Sequence, residues 1–104
     1  KNETTENKRI SSPKEVTDVV LRRFGLTLTQ IRSARRSRPL ARPRQVLMYL
    51  LRTELRLPLS EVGIWGGGRD HTTVIHAVDT IAALLSTNDR LLEDVTWIKQ
   101  ELFG

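Results

Sequence analysis

A chain of 104 residues is long enough for one domain with a single buried core. It has no cysteine, which removes disulfides and thiolate metal sites, and no apolar run near the ~18 residues that cross a bilayer. The net charge of +5 calls for an anionic partner, and it is local: residues 32 to 56 hold eight arginines, no lysine and one acid, Glu54. A merely solvated face mixes signs, whereas an all-arginine cluster suits bidentate phosphate binding and narrow minor grooves.

Residues 1–10 are polar and aperiodic, which predicts a linker or flexible arm and offers no apolar core for a signal peptide. The domain is expected over residues 11–104. Ser12-Pro13-Lys14-Glu15 reads as a helix start with an N-cap, a proline in the first turn and a capping box. Val16, Val19, Val20 and Phe24 then share one face, and Gly25 ends the helix. A short second helix fits Thr29-Gln30-Ile31-Arg32, with Leu26, Leu28 and Ile31 inward. Residues 34–41 carry arginines but no apolar face, and Pro39 and Pro43 disfavour helix at Arg38 and Arg42, so a basic loop is expected there. From Pro43 the stripe Val46, Leu47, Leu50, Leu51 and Leu55 predicts the central core helix, stopped by Pro58.

A short helix follows, with Leu59, Val62 and Trp65 against the core, and Gly66-Gly67-Gly68 ends it. Asp70 is a good N-cap for a long helix over residues 71–86, whose Val74, Val78, Ile81 and Leu85 form the inner stripe. Thr72, His76 and Asp79 project the other way. Asn88 or Thr87 starts a terminal helix with Leu91, Leu92, Val95, Ile98 and Leu102 apolar. No segment alternates with period two, so the expected fold class is all-α: five or six helices, with a helix-turn-helix around the glycines.

That motif directs attention to the start of the helix after Asp70. A helix entering the major groove N-terminus first presents its opening side chains to base edges. Asp70 can accept from cytosine N4, His71 can donate or accept, and Thr72 and Thr73 offer hydroxyls and methyls. Asp70 can equally be a cap alone, and a carboxylate has acceptor sites enough to do both. Arg69, just before the helix, suits a phosphate. His71 and His76 lie about 140° apart around a helix and cannot share a metal ion. No nucleophile pairs with Asp70 and His71, so no catalysis is expected. No phosphate-loop motif for ATP occurs. Trp65 and Trp97 read as core residues rather than base-stacking platforms, since no aromatics interleave with the arginines.

Three segments, in order and correctly spaced, resemble the C-terminal DNA-binding domain family of the bacterial replication initiator DnaA. They are Arg35-Arg36-Ser37-Arg38 with Ala41-Arg42-Pro43-Arg44-Gln45; Leu59-Ser60-Glu61-Val62-Gly63; and Gly67-Gly68-Arg69-Asp70-His71-Thr72-Thr73-Val74-Ile75-His76-Ala77. The resemblance implies a fold like that of the tryptophan repressor and a double-stranded DNA partner, the nonamer boxes of a replication origin. It also implies Arg36 in the minor groove, with Asp70, His71, Thr72, Thr73 and the position of Ser60 at major-groove bases. Arg35, Arg38, Arg42, Arg44, Arg52, Arg69 and His76 are expected at the DNA backbone.

Two positions depart from the family pattern. Ser60 stands where the family has a proline that touches a thymine, and Gly66 where it has phenylalanine, which leaves the turn free to loosen or reorient. The resemblance assigns ATP to a separate ATPase module, so no cofactor, small-molecule substrate or membrane is expected for this chain, which would be a cut-out domain or a stand-alone relative. The expected location is the cytoplasm, at the nucleoid. Two other functions remain open: a relative that binds different sites as a transcription factor, and a basic module that docks an acidic protein.

Overall fold

Ser12 opens the first helix as its sequence demands. Its hydroxyl accepts from the Glu15 N–H at 3.1 Å, and the Glu15 carboxylate accepts from the Ser12 N–H at 2.8 Å. The computed structural model describes residues 11–33 and 38–104. Among them run six helices: α1 (Pro13–Phe24), α2 (Leu28–Arg32), α3 (Arg38–Thr53), α4 (Leu59–Trp65), α5 (His71–Leu84) and α6 (Asp89–Phe103). No strand occurs among the described residues, so the chain is all-α. The arm expected over residues 1–10 lies outside the described residues.

Helix α3 is the axis of the core and packs against α5, α1, α4 and α2, while α6 closes over α1. Val46, Leu47, Leu50 and Leu51 of α3 are fully buried against Val16 and Val20 of α1, Val62 of α4, Val74 and Ile81 of α5, and Ile98 of α6. Apolar burial at this density is what holds short helices that would fray alone. Gly25 ends α1 in the left-handed conformation, φ 68°. Thr27 and Gln30 form a second capping box at α2, which begins one residue before the predicted segment. Leu28, expected inward, is exposed; Ile31 anchors that helix.

The largest departure from expectation is the start of α3. The basic loop expected over residues 34–41 is helical from Arg38 onward, and Pro43 lies inside the helix rather than at its first turn. Tertiary packing overrides the proline rule. Leu40, Leu47 and Leu51 recur on one face and are all buried, so starting at Arg38 adds Leu40 to the core. Pro39 sits in the first turn, where a missing N–H costs nothing, and Pro43 forfeits a single intrahelical bond in the second.

Candidate nucleic-acid interface

Helices α4 and α5 meet across a turn that only glycine can make. A Cβ on Gly63 would land on the Arg69 carbonyl oxygen, and one on Gly67, at φ +98°, would stand 2.8 Å from the Arg32 carbonyl oxygen. The Gly63 carbonyl accepts from the N–H groups of both Gly68 and Arg69, at 2.9 Å each. The Gly66 and Gly67 N–H groups bond to the Val62 and Ile64 carbonyls. Gly66 therefore does not loosen the turn. It is buried, and the Met48 sulfur lies 3.0 Å from where its Cβ would stand, so Met48 occupies the space beneath it.

The turn delivers Asp70 to the N-terminus of α5. Its carboxylate accepts from the Thr73 N–H at 2.8 Å. That backbone bond, with smaller help from the Thr73 side chain and the His71 charge, holds the Asp70 carboxyl below the usual carboxylate range despite opposing desolvation. Val74, Ala77 and Ile81 fix the inner face of α5, with Val78 half-buried beside them. Asp70, His71, Thr72 and Thr73 consequently all stand exposed on its first turn, and His76 is exposed one turn on. Ser60 is exposed on α4 and caps nothing; the N-cap of that helix is Pro58, with no side-chain bond.

Between α3 and α5 runs an open cleft of about 430 Å³, lined among others by Arg44, Gln45, Met48, Arg69, Thr73 and His76. Gln45, to which sequence reasoning gave no role, is on this wall; it accepts from Arg42 at 3.1 Å. Its position three residues after Arg42 on a helix was the available signal. Arg42 is otherwise exposed, as is Arg52, whose Nη1 donates to the Leu57 carbonyl at 2.8 Å.

Arg44, which the resemblance puts at the DNA backbone, is only 6% exposed. Its Nε donates to the Ile31 carbonyl at 2.7 Å and its Nη2 to those of Ser33, at 2.7 Å, and Gln30, at 3.2 Å. Arg44 thus closes the C-terminal end of α2, whose last carbonyls have no helical partners. Burial, and secondarily the Arg69 charge, lowers its pKa from the ordinary arginine value. Arg69, also expected at a phosphate, is half-buried and turned inward: Nε donates to the Gly66 carbonyl at 3.1 Å and Nη2 to the Ser33 carbonyl at 2.6 Å. Arg35 and Arg36, and the side chain of Arg38, lie outside the described residues. Also among the described residues, no cluster of three potential ligands could hold a metal ion, and no helix is long and apolar enough to cross a membrane.

These features have close counterparts. A sequence model of the bacterial dnaA protein helix-turn-helix matches residues 13–81. The chromosomal replication initiator protein DnaA of Herpetosiphon aurantiacus is 40% identical over 102 residues, covering 98% of this chain and 21% of the relative. That of Thermomicrobium roseum is 40% identical over 92 residues, 88% of this chain and 20% of the relative. That of Nitrobacter hamburgensis is 42% identical over 88 residues, 85% and 18% respectively. The chain spans about a fifth of the length of these curated relatives. With the matched segment running from the first residue of α1 into α5, the chain belongs to the bacterial DnaA helix-turn-helix family.

Proposed function

We propose that this chain binds double-stranded DNA sequence-specifically, at the nonamer boxes of a bacterial replication origin, with α5 in the major groove. The observation that carries the reading is the first turn of α5, where four consecutive polar side chains are exposed beyond a turn with no conformational slack. Thr72 offers a methyl and a hydroxyl to bases, His71 a donor or acceptor, and Asp70 its second carboxylate oxygen while the first caps the helix. Thr73 stands beside them. Ser60 lies on the facing helix in place of the family's proline. Arg42, Arg52 and His76 meet phosphates, which position without specifying. Arg36 enters the minor groove, with Arg35 and Arg38 at the flanking backbone.

A second reading, a family member tuned to other sites, draws on Ser60, whose hydroxyl replaces an apolar thymine contact. One experiment tests both: selection from random duplex DNA at near-physiological salt, followed by titration of the recovered site. Origin-type boxes support the first reading and unrelated sites the second. If four to eight phosphates are engaged, log K falls against log salt with a slope of about −4 to −7. A slope near zero on duplex DNA overturns both and leaves docking to an acidic protein.

A further inference from the structure

Ile75 stands in the open on a helix whose other large apolar side chains turn toward the core. It is 46% exposed, whereas Val74, Ala77 and Ile81 of α5 are buried. At about 100° per residue, Thr72, Ile75, His76 and Asp79 share an arc of about 100° on the outer face, opposite Val74 and Ile81. A lone exposed aliphatic side chain is ordinary on a protein surface. Ile75 is not alone: it lines an open hollow of about 300 Å³ with Leu59, Val78, Arg52 and Asp79. Leu59 and Val78 are half-buried and packed on the core, so with Ile75 they make a fixed apolar floor. Arg52 and Asp79, both exposed, form its charged rim. A phosphate is drawn to the Arg52 side and repelled by Asp79, which leaves the floor to an uncharged group. The floor continues into the exposed first turn of α5 through Thr72, one turn before Ile75, and into α4 through Ser60, next to Leu59.

We propose that Ile75 is a specificity-determining residue that reads the C5-methyl group of a thymine, seated on the floor it shares with Leu59 and Val78. The proposal rests on the DNA reading above and deepens it. In the major groove thymine presents a methyl that cytosine lacks, and an apolar side chain is the group that recognises it. Ile75 lies three residues beyond Thr72, about 4.5 Å along the helix axis. Successive base pairs are about 3.4 Å apart, so the thymine belongs to the base pair next to the one that Thr72 reaches. Arg52 holds the strand by its phosphate, which carries no sequence, and Ile75 supplies the preference beside it.

The test replaces each thymine of the selected site in turn by deoxyuridine, which removes only the methyl, and titrates the parent and Ile75→Ala on every duplex and on random DNA. For the parent, one replacement should weaken binding about fivefold, at the thymine next to the base pair whose identity Thr72→Ala relaxes. Ile75→Ala should bind the all-thymine site about fivefold more weakly, with random DNA and the salt slope as in the parent. It should also lose the penalty at that one thymine and keep any penalty at the others. Its melting temperature should change little, since nearly half of the side chain is exposed and alanine favours helix. Should Ile75→Ala nevertheless melt far below the parent, Ile75→Gln, a good helix former with a polar end, is read by the ratio of thymine to deoxyuridine duplex alone, which should fall to one. An Ile75→Ala that keeps every penalty of the parent overturns the proposal. So does a loss by the same factor on all duplexes, random DNA included, which makes Ile75 a support of the fold. A parent with no site preference defeats the DNA reading and this proposal together, whereas a parent that prefers its site and whose penalties survive in Ile75→Ala defeats the proposal alone.

Discussion

The two sides of this domain treat their charges in opposite ways. Among the described residues the ion pairs gather on α1 and α6. Arg23 bonds Asp94 at 2.9 Å, with Arg90 3.8 Å from the same carboxylate; Arg22 faces Glu101, and Lys99 meets Glu54 at 3.1 Å. Arg23 also lies 5.1 Å from the centre of the Trp97 ring, so it is held by a carboxylate and an aromatic face together. On the α3–α5 side, Arg52 and Arg69 donate instead to main-chain carbonyls. A carbonyl orients a guanidinium without cancelling its charge. One side is thereby close to neutral and glued by its pairs, while the other keeps a positive field beside the exposed start of α5. Among the described residues the positive field thus lies on one side rather than over the whole surface.

The sharpest way to break this contrast is at the turn. Gly63→Ala places a methyl on the Arg69 carbonyl and should cost about 2–3 kcal/mol in urea denaturation, because backbone rather than a flexible side chain must move. An unchanged midpoint would mean that α4 and the turn are not locked as described. On the opposite side, Asp94→Ala strands Arg23 beneath α6 and should cost ~1–3 kcal/mol of stability. At a temperature where that variant is folded, its DNA affinity and salt slope should equal the parent's. A change in either would show that the neutral side takes part in binding.

Most helices were legible because their caps and apolar stripes agree. Ser12 with Glu15, Asp70, Asn88, and the periodic valines and leucines each marked an end or an inner face that the structure keeps. The exposed first turn of α5 was legible for the same reason, since Val74 and Ile81 dictate which way residues 71–73 face. What escaped depends on contacts distant in sequence. Pro39 and Pro43 argued against helix at Arg38 and Arg42, and only the burial of Leu40 and the bonds from Arg44 to Ile31 and Ser33, eleven to thirteen positions away, tip the balance. The resemblance put Arg44 at the DNA backbone, yet its guanidinium is buried against the end of α2. Nothing local announces that the free carbonyls ending a short helix will draw one inside.

Binding variants sharpen the charged side further. Thr72→Ala removes a hydroxyl and a methyl from an exposed position, so the melting temperature should hold or rise slightly, as helix propensity favours alanine. Affinity for the selected site should drop by ~1–3 kcal/mol with random DNA unaffected, read by titrating both duplexes. Equal binding of the selected site by parent and variant would remove α5 as the reader. Arg52→Ala should be milder and indiscriminate. Selected and random duplexes weaken together and the salt slope becomes shallower by about one. An altered base preference instead would move Arg52 from the backbone to a base.

The smallest expected effect isolates charge from geometry at Asp70. Its carboxyl is held below the usual range chiefly by the Thr73 N–H, so the folded state binds a proton less readily than the unfolded chain. A group shifted this way stabilises the fold fully above its unfolded value, near ~3.9 for aspartate, and loses that contribution as pH falls through the lower, folded value. Asp70→Asn keeps an oxygen for the Thr73 N–H and so preserves the cap, but it removes the negative charge that favours a helix N-terminus. Melting curves of parent and variant should therefore differ by a small, constant gap from neutral pH down to about pH 5. The gap should close below ~3.9, once the parent's carboxyl is protonated as well. Asp70→Ala removes cap and charge together, so it should melt below both at neutral pH and stay below Asp70→Asn in acid. A gap that widens on acidification would mean that the folded state stabilises the protonated carboxyl instead, and Asp70 would then serve α5 as a neutral cap rather than a charged one.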